Sequence, residues 1–592
     1  MIGKSSILVR FHRWRLRHVS ERNFLLLLSV VIGIITGIIA TIIKNTVWLT
    51  KRLVNRIVSD EVHNYIYFIL PVIGILLTVL VVKYLIKKPV RHGVPNVLNS
   101  IANRNGVLSN HNMYSSIITS SLTVGFGGSV GLEGPTVATG AAFGSWISRV
   151  FRLEYRNTIL MLACASAGAM AAIFKAPIAA IVFAIEVIMI DMTAFSLVPL
   201  LLSSASAVVT SYFFMGQDVL YPFDVEKTFS LDKLPYYILL GIFSGLVSAY
   251  FTKVYLFIAD LFEKIKKARL RLLVGGFSLG TIIFLFPSLF GEGYEAINSC
   301  LDGNLKYLFN SSIFYDFQDS VFAVFLLLAA VILFKAVATS LTFASGGVGG
   351  IFAPTLFMGA NAGMLFARIV NMTGIKELNS NNFALIGMAG LITGVLHAPL
   401  TGIFLIADIS GGYKLFVPLM ITATFAFVTT SVFTKNSVYH YQLARRKELM
   451  THDKDKAVLQ RMHVTNLIEN DFEVLSPDST LRDLTDVISR AHRDLFPVVD
   501  REGRLKGMVK MDDIRHLIFR PELYDKVQVS HLMYMPEHFI SPSDSMEVVA
   551  DKFETSGRYN IAVLDEGKYL GFISRARVFS SYRKNIRHLS HD

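Results

Sequence analysis

Long apolar runs separated by short polar segments fill the first three quarters of the chain, and the pattern changes near residue 445. The runs FLLLLSVVIGIITGIIATII (24–43) and YIYFILPVIGILLTVLVVKYLI (65–86) each reach the roughly 20 apolar residues that a spanning helix needs. Similar runs lie near 196–215, 236–258, 270–290, 321–343 and 415–434. Two more apolar stretches, near 116–150 and 345–370, are interrupted by Gly and Pro. They predict short or discontinuous helices, which exist at membrane depth only inside protein or along a watery cavity. The pattern as a whole predicts a polytopic α-helical membrane protein.

Beyond YHYQLARRKELMTHDKDKAVLQRMH (439–463) the chain reads as a soluble α/β domain. FPVVDREGRLKGMVKMDDIRHLI (496–518) and NIAVLDEGKYLGFISRARVFSSY (560–582) share one pattern. Each predicts an apolar strand, an acidic-Gly turn, a second strand starting at a Gly, and a helix. A duplicated unit of about 60 residues is a paired module. The membrane part is duplicated as well. FKAPIAAIVFAIEV (174–187) matches LHAPLTGIFLIADI (396–409), each with a carboxylate nine residues after the proline. GGSVGLEGP (127–135) matches GGVGGIFAP (346–354), and RHGVPNVL (91–98) pairs with GEGYEAIN (291–298), in the same order and at offsets of about 200 to 222 residues. Gly/Pro-interrupted segments at matching positions of two repeats point to a transporter binding site.

Composition adds little to the class and something to the partners. Of 592 residues, 53% are hydrophobic and 17% charged, against about a quarter charged in soluble domains. The net charge of +13 is accounted for by basic loops on the cytoplasmic side, and GKSSILVRFHRWRLRHVSER (3–22) places the N-terminus there. The lipid bilayer is therefore a partner. No basic soluble patch interleaved with aromatics is present, so nucleic acid is not expected. No cleavable signal peptide is expected, because the first apolar run is of full span length and lacks a small-residue cleavage site. Cys164 and Cys300 lack metal-ligand spacing and are expected as free thiols. No nucleophile–base pair and no metal-ligand cluster stands out, so neither an enzyme nor a required cofactor is expected.

The interrupted segments carry the chemistry. In SGGVGGIFAP (345–354) glycine frees the backbone, and proline suits a first helical turn. GLEGP (131–135) and HGVP (92–95) have the same style. Each predicts a helix N-terminus, whose unpaired amides and dipole suit an anion. No Lys or Arg lies within these three motifs, so the ion is held by partial charges and is free to leave. Glu133 sits on one of these starts. Ionised, its carboxylate competes with the anion; protonated, it swings away, which makes it a gate and a candidate proton carrier.

The chain resembles the CLC family of chloride channels and chloride/proton exchangers, of prokaryotic type, over about residues 20 to 445, followed by paired CBS domains. RHGVP (91–95) stands where the family has G-S-G-I-P, and GLEGP stands for G-K/R-E-G-P. GGIFAP (349–354) matches residue for residue, and NSVYHY (436–441) matches the region of the pore tyrosine. The resemblance implies a CLC fold, with an inverted internal repeat and broken helices, followed by a cytoplasmic CBS pair. It implies a basic segment 1–20, an anion-pathway domain 21–445, a linker 446–462, and CBS domains at 463–525 and 526–592. Glu133 is then the gating glutamate. Amides at Gly131, Leu132, Glu133 and Gly134 form an outer anion site. Gly349, Gly350, Ile351 and Phe352, with His92, Gly93 and the Tyr439 hydroxyl, form the central one. A homodimer with one pore per subunit in the inner (cell) membrane is also implied.

Three positions depart from the family. His92 replaces a serine donor, which bears on anion selectivity. Leu132 replaces a Lys or Arg, which removes a positive charge beside the outer path. Val187 occupies the place of the inner proton-accepting glutamate, while Glu186 is expected to make structural hydrogen bonds. In the CBS pair the nucleotide signature is incomplete. Asp513 and Ser574 are kept, but Lys510 and Arg577 replace the hydroxyl and the ribose-binding acid. A structural or dimer-contact role is favoured over adenine nucleotide binding. The expected activity is glutamate-gated chloride transport, leaning to a channel-like or weakly coupled conductor. The alternatives are a coupled chloride/proton antiporter and, second, a fluoride-exporting relative.

Overall fold

The computed structural model describes residues 14–15, 17–57, 63–90, 93–188, 194–216, 230–410, 412–445, 459, 462–491 and 493–590. The chain divides into two compact units, Met1–Leu449 and Met450–Asp592. Most of the predicted linker and of the basic N-terminal segment, together with His92, lies outside the described residues.

Among the described residues, the elements of the first unit are all helices. Its first half holds α1 (Glu21–Ile57), α2 (His63–Leu80), α3 (Gly93–Asn103), α4 (Asn112–Gly125), α5 (Glu133–Val150), α6 (Tyr155–Phe174), α7 (Pro177–Glu186) and α8 (Ala194–Met215). Its second half holds α9 (Leu234–Glu263), α10 (Ala268–Leu285), α11 (Tyr294–Leu301), α12 (Val321–Ala344), α13 (Phe352–Met372), α14 (Ser380–Leu396), α15 (Pro399–Ile409), α16 (Phe416–Phe433) and α17 (Val438–Arg445). Among the described residues, nine helical segments are long and apolar enough to cross a membrane, and every uninterrupted apolar run expected above is one of them.

The other two are Tyr155–Phe174 and Phe352–Met372. The pattern missed the first because it is built from small residues, ACASAGAMAA at its centre. It is almost wholly enclosed by protein and packs on α1, α5 and α8. Small side chains let helix backbones approach closely where lipid is absent. The second corrects the expectation of a broken helix over 345–370. The irregular backbone is confined to 345–351, and α13 then runs unbroken. In the matching stretch, α4 and α5 are separated by irregular residues 126–132.

The duplication is visible in the backbone. Lys175 and His397 are both left-handed, with φ of 57° and 54°, and the alanines after them have φ/ψ of −123°/81° and −130°/75°. Leu132 and Ile351, which precede α5 and α13, have φ/ψ of −97°/−13° and −95°/−7°. The halves also exchange bonds reciprocally. Gly131 N–H donates to Gly350 O and Gly350 N–H to Gly131 O, both at 2.8 Å. Glu186, at the end of α7, accepts from the amides of Leu400 and Thr401 at the start of α15, at 3.1 and 2.7 Å. Asp408, near the end of α15, accepts from Ile178 and Ala179 at the start of α7, at 3.2 and 3.1 Å. Such mutual exchange requires antiparallel elements related by a local two-fold axis.

In the second unit, α18 (Leu481–Arg490) starts with a Thr480–Asp483 capping box. Strands β1 (Leu495–Val499) and β2 (Leu505–Lys510) pair antiparallel and lead into α19 (Met511–Ile518). Strand β3 (Phe539–Ile540), helix α20 (Met546–Ser556), strands β4 (Asn560–Asp565) and β5 (Lys568–Ser574), and helix α21 (Arg575–Ser590) follow. β3 pairs parallel with β4, which pairs antiparallel with β5. The repeated strand–turn–strand–helix pattern is present, with one correction. Gly507 and Gly571 lie inside β2 and β5 rather than starting them, each opposite a register shift in its partner strand. A glycine within a strand commonly marks such a bulge.

Candidate functional site

Three helix starts meet in the core of the first unit. The Gly131–Gly350 pair ties the turn before α5 to the turn before α13. A methyl group on Gly134 would sit 3.1 Å from Gly350 Cα and 3.4 Å from the Gly349 carbonyl. One on Gly93, the first residue of α3, would collide with the backbone of Gly134. The five glycines are therefore closely packed around this junction. Neither α5 nor α13 has a side-chain cap, and both starts are buried. The first amides of a helix have no partner within it, so these ends supply donors without a full charge.

The structure brings together the described residues of the sequence-predicted anion sites. Leu132 and Ile351 precede α5 and α13, and Phe352 opens α13 with its ring centroid 6.2 Å from Phe174 and 5.7 Å from Phe183. Glu133 opens α5 and is 0% exposed. Its Oε1 accepts a hydrogen bond from the Tyr294 hydroxyl. Its Oε2 is buried with no hydrogen-bond partner among the described residues. Tyr439, on α17, is 4% exposed, and its hydroxyl is likewise buried and without a partner among those residues. That hydroxyl lies close enough to Glu133 to feel its charge. Helix α17 is pinned by Gln442, which donates to Tyr255 at 2.7 Å, and by Arg445, which pairs with Asp260 and Glu263.

Two groups, one half-buried and one fully buried, are not among the residues singled out from the sequence. Tyr294 follows the glycine of GEGYEAIN, and an aromatic hydroxyl beside that matched glycine was the available signal. Lys335 is a lone cation in the apolar run of α12, and an ionisable residue in a membrane segment is by default a functional candidate. Its ammonium donates to Ser129 Oγ at 2.8 Å, Gly291 O at 3.3 Å and Leu289 O at 3.5 Å, and lies 4.9 Å from the Phe357 ring centroid. The turns before α5 and α11 are thus tied together by a buried cation. Nearby, Lys51 pairs with Glu292 at 3.1 Å, and Lys44 donates to Ile173 O at 2.9 Å.

Val187 is buried just past the end of α7, its N–H donating to Phe183 O at 2.9 Å. Its neighbour Glu186 has both oxygens occupied by the start of α15, including the Thr401 hydroxyl at 2.7 Å. Cys164 and Cys300 are buried and unpaired. In the second unit, a cavity of about 430 Å³ is lined by Lys510, Asp512, Tyr534, His538 and Arg558 among others. Asp513 and Ser574 do not line it. Asp513 is exposed on α19, and Ser574 donates to Glu469 Oε1 at 2.5 Å and accepts from the Arg577 amide at 3.1 Å.

A two-fold related pair of broken-helix halves, with buried helix starts around one carboxylate, defines the class: a membrane transport protein of the inverted-repeat type. Residues 73–431 match the model of the Voltage gated chloride channel family, and 464–520 and 529–584 each match the CBS domain. The chain belongs to that family of chloride-transporting proteins and carries a CBS pair. It is 29% identical over 391 residues to a putative chloride channel protein, ClcB-like, of Ralstonia nicotianae, covering 64% of this chain and 86% of that one. It is 31% identical over 337 residues to the H(+)/Cl(-) exchange transporter ClcA of Vibrio cholerae, covering 54% of this chain and 67% of that one. Among solved structures, a slow cyanobacterial Cl-/H+ antiporter superposes with a TM-score of 0.61 at 22% identity, over 72% of this chain and 98% of that one. A eukaryotic CLC transporter gives 0.61 at 18% identity over 97% and 99%. These likenesses establish the fold.

Proposed function

We propose that the chain exchanges chloride for protons across the cell membrane, with Glu133 as both the gate and the outer proton carrier. The observation that carries this reading is the buried Glu133 carboxylate at the meeting of three helix starts, one oxygen held by Tyr294 and the other without a hydrogen-bond partner among the described residues. An ionised carboxylate in that place occupies the position an anion would take at helix N-termini. The amides of Gly131 to Gly134 line the outer site in this reading, and those of Ile351 and Phe352, with the Tyr439 hydroxyl, line the central one. The exchange transporters among the relatives favour coupling over the passive conduction to which the sequence alone leaned. The basic segment before α1 favours a cytoplasmic N-terminus and soluble unit, and two copies, each with its own pathway, complete the proposal.

A second reading, a channel-like or weakly coupled conductor, is favoured by one feature: Val187 holds no proton, and Glu186 is occupied in capping. The deciding experiment is reconstitution into liposomes with chloride and proton fluxes recorded together under a chloride gradient. Chloride-driven uphill proton movement is expected, and its absence with intact chloride flux leaves the channel reading. Glu133→Ala or Glu133→Gln is expected to give chloride flux independent of external pH and without proton movement. Flux as pH-sensitive as the parent's would falsify the gate assignment.

A further inference from the structure

The segment 291–298 is the repeat mate of 91–98, whose first-half copy brings Gly93 against the backbone of Gly134. Its second-half copy opens α11 and brings a hydroxyl to the same carboxylate-bearing turn. Tyr294 follows Gly293, whose φ of 86° lets the chain turn sharply into α11. α11 packs on α13 and α14, so the ring is carried on the half of the molecule that does not carry Glu133. Its hydroxyl donates to Glu133 Oε1. We propose that Tyr294 is the latch of the gate: it holds the Glu133 carboxylate in its docked, anion-excluding position. This rests on the gate reading of Glu133 and adds a positioning residue to it.

The physical basis is the asymmetry of a hydrogen bond to a charged acceptor. A phenol donates more strongly to a carboxylate than to a protonated carboxyl, so the bond favours the ionised, docked form. It works among other charges. The loop before α11 brings Glu292 into electrostatic range of Glu133, α1 brings Lys44, and α17 brings the Tyr439 hydroxyl. From α12, Lys335 holds the Gly291 carbonyl, which fixes the entry to α11. Lys44 and Glu292 set a background field. Tyr294 is the side-chain group that donates to the carboxylate, and it does so from the opposite repeat. Opening the gate therefore requires breaking this bond between the halves.

The latch makes a signed prediction. Without the donor, the docked carboxylate is less stable, so Glu133 takes up a proton and leaves its site at higher pH. In liposomes holding the full chain, Tyr294→Phe is expected to move the midpoint of chloride flux against external pH upward by about one unit, a tenfold change in the docking equilibrium. In a Glu133→Gln background the same substitution is expected to change neither flux nor its pH profile, because no carboxylate remains to be held. An unshifted midpoint in Tyr294→Phe, beside a pH-insensitive Glu133→Gln, overturns the latch alone. A Tyr294→Phe effect that persists in the Glu133→Gln background also overturns it, since the ring then acts on packing. Glu133→Gln as pH-sensitive as the parent overturns the gate and the latch together.

Discussion

Lys335 shows what one buried charge does in this fold. Its side chain is fully buried, and its three oxygen partners come from Ser129, Leu289 and Gly291, in the turns that precede α5 and α11. An ammonium at this depth is tolerable only because each donor finds an oxygen and an aromatic face lies alongside. Lys335→Met keeps the bulk and removes the donors. The oxygens it leaves without that donor make a loss of about 1–3 kcal/mol the expectation, measured as a lower melting temperature of the purified protein in detergent. An unchanged melting temperature would show that the turns hold themselves.

Helices α7 and α15 are each too short to cross a bilayer, and each ends in or near a carboxylate that caps the other's start. The arrangement satisfies amides that neither helix can satisfy internally and lets each dipole meet a negative charge at its positive end. Glu186 thereby has a structural role, as its spacing from Pro177 suggested through the repeat mate Asp408. Glu186→Ala is expected to cost about 1–2 kcal/mol of stability, the scale of a lost cap, and to leave the ratio of chloride to proton flux unchanged in liposomes. If coupling disappears while chloride flux persists, the inner proton route runs through Glu186 and the capping role is secondary.

At the scale of the whole molecule, the chain holds two compact units with separate cores, one gathered around α5, α6, α13 and α14 and the others within residues 462–573. All the residues assigned to the anion pathway belong to the first. A chain ending near residue 460 is therefore expected to carry chloride after reconstitution, provided it elutes as a folded species in detergent. A folded but silent truncation would show that the CBS pair is needed to open the pathway.

The sequence by itself determined the class, the duplication and the motifs. Spanning runs are read from local hydropathy, because lipid demands a continuous apolar surface whatever the partners are. The turns before α5 and α13 were legible because glycine, proline and a lone carboxylate are conspicuous against an apolar background. The order of the repeats was legible because matched turns need matched residues, as the nearly identical backbones at Lys175 and His397 show. Local pattern left α6 unread, since its centre is built of small residues rather than the large aliphatic side chains that mark the other spans, and it is enclosed by protein. Tyr294 and Lys335 were present as letters, but only the folded chain assigns them partners. Tyr294 meets a carboxylate 161 residues away and Lys335 a hydroxyl 206 residues away. Bonds across such separations form only when the two repeats close on each other, so the partner of the Glu133 carboxylate was decided by the tertiary structure.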